Sequence, residues 1–501
     1  MKRKPTIGIF RTFSRRRITL FCFFLLTGAV LAQSGQPAAP SHLQSAPPDK
    51  FTIPALFVSD IHFEPFWDPG KVQSLAAAPV SKWKVILAVA PTPDRQARFD
   101  ALRKGDGTDT PFPLLESSLK AMQDHAAGVK FVIVSGDLIS HDFFQKYKSL
   151  FPQSTPSDYR AFVEKTVNYV IDELYGSFPG APIYVALGNN DSDCGDYQLD
   201  VHSEFLAVTG KEVIKGFPAS ERKAALETFT DGGYYSVSLP APMAHARLLV
   251  LNDIFMSKKY ATCAGKADPT ASDAQISWLQ QQLAEARRNK EKVWVMAHIP
   301  PGVDPYSTAT KQDNVCSGQG PEMFLSSEKL ADVLSKFDDV VELAIFAHTH
   351  MDELRLLIPE NKESSALQNG VALKMVPSIS PIDGNNSSFT VARIDPATAA
   401  LVDYRVFAAS NQTGVDTAWV EEYDFAQSFH KSVFSSSSVS ELIAGFAADP
   451  GAKSEASQDY IRDFSVDYLS PVLKAFWPQY VCSLSNHTAD AYRLCVCPTA
   501  R

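Results

Sequence analysis

The sequence predicts a layered α/β protein with a small helical subdomain at its C-terminal end, and three observations carry that expectation. Short β-rich apolar runs alternate with longer segments of helical period from residue 51 to about residue 410. Several of those runs end abruptly in Gly, Asp, Asn or His. Beyond about Asn411 the strand pattern stops and helical periodicity replaces it.

The first strands are Ile53 to Ser59, Phe131 to Ser135 and Ile183 to Leu187, with helical segments Leu114 to His125 and Tyr159 to Tyr175 between them. Further strands are expected at Tyr234 to Leu239, Arg247 to Leu251, Val293 to Ala297, Leu343 to Ala347, Glu353 to Ile358, Val371 to Val376, Phe389 to Ile394 and Leu401 to Phe407. Helices are expected over Asp273 to Arg288 and Ser327 to Phe337. The stretch from Asp68 to Pro113, rich in Pro, Gly and charge, reads as an elaborated loop near the active face. In the C-terminal part, Trp419 to Phe434, Ser438 to Ala447 and Asp459 to Phe476 read as amphipathic helices, broken by a Ser run and by Asp449-Pro450-Gly451. Residues 51–410 are thus expected as the main domain and 411–501 as the helical subdomain.

At 501 residues the chain has material for one large domain and an appendage. It opens with a basic stretch from Lys2 to Arg17 and an apolar run from Ile18 to Ala32. That run is shorter than the roughly 20 residues a bilayer span needs, so residues 1–32 read as a signal peptide cut after about Ala32. Secreted or periplasmic placement follows, and Ser14-Arg15-Arg16-Arg17-Ile18 resembles a twin-arginine export signal. Residues 33–50, mostly Pro, Ala, Ser and Gln, form a tether. Removing the seven basic residues of the signal, which holds no acids, takes the formal charge from −9 to −16. Such a surface disfavours binding to duplex nucleic acid or anionic lipid, and an anionic substrate needs local positive charge. Six cysteines remain after the signal, an even set that predicts disulfides, and no paired CxxC motif suggests a zinc cluster. Their pairing is open, as is the oligomeric state.

Five apolar runs deliver polar groups as they end. Val58-Ser59-Asp60-Ile61-His62, Ser135-Gly136-Asp137, Gly188-Asn189-Asn190-Asp191, Ala297-His298 and Ala347-His348-Thr349-His350 place Asp60, His62, Asp137, Asn189, His298, His348 and His350 at strand ends. The types suit two divalent cations: a carboxylate to bridge them, mixed nitrogen and oxygen donors, and open positions for substrate and water. Gly136 and Gly188 allow close approach around Asp137 and Asn189. Four histidines among the donors favour Zn, with Mn or Fe as alternatives, over Mg.

These motifs resemble the calcineurin-like metallophosphoesterase family. Gly136-Asp137-Leu138-Ile139-Ser140-His141-Asp142, His298-Ile299-Pro300-Pro301-Gly302 and His348-Thr349-His350-Met351-Asp352-Glu353 are similar to its acid sphingomyelinase-like branch. The resemblance implies a four-layer αββα sandwich. It also implies two metals, one on Asp60, His62, Asp137 and His350, the other on Asp137, Asn189, His298 and His348. Where many relatives carry Gly-Asn-His this chain has Asn190, as the endopolyphosphatase-like members do. Asn190 is then a substrate-binding candidate and His141 the candidate proton donor. The cysteine-rich lipid-lifting domain of the acid sphingomyelinases has no counterpart in residues 33–50.

The implied activity is hydrolysis of a phosphodiester or pyrophosphate bond by metal-hydroxide attack on a small-molecule or lipid-headgroup phosphoester. Endopolyphosphatase or phosphomonoesterase activity is the alternative within the fold. An exported metal-binding pseudoenzyme or binding protein is the alternative of another class. Phe63, Phe66, Trp67, Phe143, Phe144 and Tyr197 are candidates either for stacking on substrate or for packing.

Overall fold

The computed structural model describes residues 51–103, 107–309, 311, 314–359, 370–466 and 471–497. The expected signal segment and tether lie outside them.

Strands β1 (Ile53–Val58), β2 (Val132–Val134) and β3 (Ile183–Val185) are parallel and form half of the first sheet. The second sheet contains β4 (Tyr235–Ser238), β5 (Ala246–Val250), β6 (Lys292–Met296), β7 (Val341–Phe346), β8 (Glu353–Leu357) and β9 (Val371–Met375). Strands β10 (Ser388–Ile394), β11 (Leu401–Ala409) and β12 (Trp419–Asp424) return to complete the first. The orders are β12-β11-β10-β1-β2-β3 and β4-β5-β6-β7-β9-β8.

Alternation along the strands builds the layers. On β6, Trp294 and Met296 join the core shared with the first sheet, where Phe57 and Phe131 set their rings 5.9 and 5.8 Å from Trp294. Val293 and Val295 point the other way and pack with Ile276, Leu279 and Leu283 of the helix Thr270–Asn289. The helices Phe112–His125 and Pro156–Ser177 put Leu115, Leu119, Phe162 and Val163 into the first sheet's core. Two sheets face each other with helices outside both, so the expected αββα layering is found.

Register decides where the chemistry falls. Val58 pairs with Val134, and Val134 with Val185, so three parallel strands end level. Met296 pairs with both Val250 and Ile345, so β5, β6 and β7 also end level. Residues 378–380 stitch the two rows together: Ser378 N–H donates to the His350 carbonyl at 3.2 Å, while Ile379 and Ser380 donate to Ser59 and Asp60 at 3.1 and 3.0 Å.

Two expectations require correction. The segment from Trp419 to Phe434 is not one helix: Trp419–Asp424 is strand β12, followed by the short helix Phe425–Phe429. The unpaired edge of β11 supplies the reason, since β12 pairs with it from Ala409↔Trp419 to Arg405↔Asp424, and Trp419 sets its ring 5.3 Å from Phe389. The stretch from Asp68 to Pro113 is not bare loop but carries short helices at Val72–Ala77, Trp83–Ala88 and Arg95–Asp100. Farther on, the helices Ser436–Ala447, Glu455–Asp463, Trp477–Ser483 and Ala489–Val496 belong to the same compact unit as the sheets. They cover the other sheet's edge: Leu356 N–H donates to the Leu484 carbonyl at 2.8 Å, and Tyr480 donates to Glu353 at 2.9 Å. Disulfides Cys194–Cys263, Cys316–Cys497 and Cys482–Cys495 use all six cysteines, one of them local and one tying the C-terminal end back to the main body. Among the described residues no helix is long and apolar enough to cross a membrane.

Candidate metal centre

The level strand ends bring the seven expected residues together at the seam between the sheets. Five of them adopt left-handed backbone: Asp60 (φ 44°), His62 (43°), Asp137 (55°), His348 (74°) and His350 (64°). Such conformations are unfavourable for non-glycine residues and persist where neighbouring contacts hold them. Here they are held by Asp60 N–H on the Gly136 carbonyl (3.0 Å), His62 N–H on Asp137 (2.9 Å) and Ala347 N–H on His298 (2.9 Å). A Cβ at Gly136 would lie 2.6 Å from the His298 ring, and one at Gly188 would intrude on the Asp137 carboxylate. Both glycines are therefore required by close approach.

The donor atoms converge in two groups. In one, Nε2 of His62 lies 3.1 Å from Nε2 of His350, 3.4 Å from Oδ2 of Asp137 and 3.7 Å from Oδ1 of Asp60, which is itself 3.4 Å from His350. In the other, Nε2 of His298 lies 3.2 Å from Oδ2 of Asp137, 3.2 Å from Oδ1 of Asn189 and 3.2 Å from Nδ1 of His348. Asp137 belongs to both.

Tautomers explain why these atoms face one another. The Ile139 carbonyl accepts from Nδ1 of His62 at 3.0 Å, and the Ser135 carbonyl accepts from Nδ1 of His298 at 2.9 Å. Each ring then directs a lone pair from Nε2 into the cluster. Lone pairs 3.1 to 3.2 Å apart repel unless a proton or a cation lies between them. Donors about 2.1 Å from an ion stand about 3.0 Å apart in octahedral and about 3.4 Å apart in tetrahedral coordination, so the spacings fit divalent cations. Oδ1 of Asp60, buried without a hydrogen-bond donor, fits the same requirement.

Electrostatics without metal agree. Burial pushes Asp60 up, but His350, His62 and His298 together bring it down to about 2. Burial likewise opposes ionisation of Asp137, yet His298 and His62 hold it well below the ordinary carboxylate range. Burial pulls His62 and His298 down, but the carboxylates, Asp137 first, raise them to about 9 and about 10. Burial and the neighbouring His298 depress His348 to about 3.

His141 lies at the rim, its ring stacked on His62 with centroids 4.0 Å apart. One of its ring nitrogens is within 4.8 Å of those of His62 and His350. Asn190 is tied to Asp137: its backbone N–H and its Nδ2 both donate to that carboxylate, at 2.8 and 2.9 Å, so its amide orients it. Of the aromatic candidates, Phe63, Phe66 and Phe143 are buried packing residues, and only Tyr197 touches a site residue, its hydroxyl 3.3 Å from Nε2 of His348.

Several supporting residues are not among those singled out from the sequence. Asp109, from the stretch read as a loop, lies 3.0 Å from Nδ1 of His141. Asp191 accepts from Leu138, Ile139 and Gly188 N–H, tying the Asp137 and Asn189 loops together, although burial and the charge of Asp137 raise it to about 7. Asp253 accepts from the backbone of His298 and Ile299. It follows β5 as Leu251-Asn252-Asp253, the same signal as the other strand ends, and could have been found by it. Asp383 places an oxygen 3.1 Å from Nδ1 of His350. A further group, Asp193 with Cys194 and Cys263, offers no thiolate because the cysteines are bridged.

Comparison with known proteins agrees with this geometry. The calcineurin-like phosphoesterase family profile matches residues 53–352. The chain is similar to human acid sphingomyelinase-like phosphodiesterase 3b, 25% identical over 88% of this chain and 89% of that protein. It is 26% identical to the cyclic GMP-AMP phosphodiesterase SMPDL3A of Rattus norvegicus over 77% of this chain and 82% of that one. It is also 26% identical to sphingomyelinase phosphodiesterase C of Dictyostelium discoideum, over 64% and 68%. With the family matched across both sheets' ligand-bearing strands, and donors arranged as cation ligands, the chain belongs to the calcineurin-like phosphoesterases and is a metal-dependent phosphoric ester hydrolase.

Proposed function

We propose that the protein is a secreted phosphodiesterase that holds two divalent cations, with zinc the metal best suited to four imidazoles and Mn or Fe next. The observation that carries this reading is the shared carboxylate of Asp137, 3.4 Å from Nε2 of His62 and 3.2 Å from Nε2 of His298. One ion would be held by Asp60, His62, Asp137 and His350, the other by Asp137, Asn189, His298 and His348. When bound, such ions lower the pKa of water and neutralise charge on phosphoryl oxygens. Secretion is supported by the three disulfides.

The chain's own residues supply the rest. Asn190 and Asp191 fix Asp137 and the loops beside it. Asp253 accepts from the backbone of His298, and an oxygen of Asp383 lies 3.1 Å from Nδ1 of His350. His141 gives a proton to the departing oxygen. Asp109 accepts from its Nδ1, which leaves Nε2 to carry the transferable proton.

Hydrolysis of bis(p-nitrophenyl) phosphate by metal-loaded protein tests the activity, with Zn, Mn, Fe and Mg compared from acid to neutral pH. Absence of metal-dependent turnover would leave a binding protein. His141→Ala tests the proton donor. Turnover should fall far more on an ester with an alkoxide leaving group than on one releasing nitrophenolate, and equal losses exclude the role.

A further inference from the structure

We infer that Tyr197 and Lys259 form a recognition site for a second anionic group on the substrate, favouring esters with a further phosphate over those with a cationic headgroup. The inference rests on the phosphoester-hydrolase reading above and adds a substrate class to it.

The geometry begins at His348. Its Nδ1 faces the metal cluster, 3.2 Å from Nε2 of His298, so its Nε2 carries the proton and donates to the Tyr197 oxygen at 3.3 Å. Lys259 Nζ donates to the same oxygen at 3.5 Å and sits 4.7 Å from the centre of the Tyr197 ring. With two donors on its oxygen, the phenol retains its own O–H to donate outward. An ammonium and a hydroxyl proton are thereby presented side by side, one residue removed from a ligand of the second ion.

The ammonium is available. Other cations near the site or in the core have carboxylate partners: Lys146 has Glu64, Lys374 has Asp352, and Arg355 lies 3.5 Å from Glu353. Among the described residues Lys259 has no carboxylate within ion-pair distance. Asp196, on which its charge acts, already accepts from Nδ2 of Asn189 at 2.7 Å.

The pair is also built in. Tyr197 N–H donates to the Asn189 carbonyl at 3.0 Å, Ala261 N–H donates to the Tyr197 carbonyl at 3.1 Å, and Leu199 N–H donates to Ala261 at 3.2 Å. The Cys194–Cys263 disulfide joins the same two loops. The loop bearing Tyr197 is thus tied to ligand Asn189 and to the loop bearing Lys259.

Charge selects the ligand class. In a chain of formal charge −9, an unpaired cation at the mouth of the site attracts an anion and repels a quaternary ammonium. A quaternary ammonium would need an open aromatic face, and Lys259 lies over that of Tyr197.

The test compares adenosine diphosphate with bis(p-nitrophenyl) phosphate on the metal-loaded full chain. Lys259→Gln should lower kcat/KM for the diphosphate, mainly through KM, about tenfold more than for the bis-ester. It should weaken inhibition by inorganic pyrophosphate by a similar factor relative to orthophosphate, and Lys259→Arg should restore most of both. Equal losses on the two substrates, or unchanged pyrophosphate inhibition, overturn the inference. If the wild-type protein hydrolyses neither substrate, the phosphodiesterase reading fails. Calorimetry of pyrophosphate binding to wild-type and Lys259→Gln protein then still decides the inference, equal affinities refuting it.

Discussion

Oδ1 of Asp109 lies 3.0 Å from Nδ1 of His141, and Oδ2 takes the backbone N–H of the same residue at 2.9 Å. Ser380 adds a third donor at 2.9 Å. Burial opposes ionisation of Asp109, but the charges of His141, His62 and Lys146 outweigh it and hold the carboxyl well below its usual range. Asp109→Asn should therefore leave the fold intact and lower turnover on a poor leaving group by about tenfold or more. That is short of the roughly 10²- to 10⁴-fold lost when a general acid is removed. Steady-state kinetics on paired esters, with circular dichroism as the fold control, measures this. Full activity in the variant would separate the dyad from catalysis.

Metal uptake should release protons. In the metal-free protein His62 and His298 titrate near 9 and 10, so both imidazoles are protonated at neutral pH and compete with the cation. Affinity should rise with pH toward that range. Calorimetry in two buffers of different ionisation enthalpy would reveal the released protons, and heats independent of buffer would contradict the expectation. Stability has its own sign. Both folded-state values lie above the ordinary 6.5, so the contribution is fully present below about 6.5 and disappears as pH rises through 9 to 10. The Tm of the metal-free protein should fall across that window.

Gly188→Ala should damage the centre without touching a ligand. A Cβ at this position would intrude on both the carboxylate and the backbone nitrogen of Asp137. The variant should bind less metal and unfold at lower temperature, as elemental analysis and thermal melts would show. Full metal content at an unchanged Tm would contradict the close-approach argument.

The disulfides should differ in consequence. Replacing Cys194 and Cys263 by Ser removes a bridge across 69 positions and should cost about 2–4 kcal/mol in urea unfolding. It should also raise KM, because the bridge joins the loops beside Asn189. Replacing Cys482 and Cys495, only 13 positions apart, should cost less and leave KM unchanged. Identical effects of the two pairs would argue against a local role for the first.

The convergence of the candidate ligands was legible because each follows an apolar run and parallel register levels the run ends, so sequence order translates directly into position. Asp109 was not legible, since it reaches His141 from a segment whose own pattern announces nothing. Tyr197 and Asp383 meet His348 and His350 only through loop geometry that no periodicity encodes. Trp419–Asp424 misled for another reason. Its mixture of exposed and half-buried residues suits a helix as well as an edge strand, and only the open edge of β11 decides between them. The backbone N–H and the Nδ2 of Asn190 both turn to Asp137, an attachment that the strand-end pattern does not encode.

The chain order of the sheets has one more consequence. Strands β4 to β9 form a continuous stretch, inserted between the two portions of chain that make the first sheet. His298, His348 and His350 thus arrive on a single cassette, while Asp60, His62, Asp137 and Asn189 belong to the host into which it is set. The cassette carries only imidazoles, while the host carries both carboxylates, the amide and the fourth imidazole. The donor set is therefore assembled from two separate portions of the chain, and neither portion alone holds it.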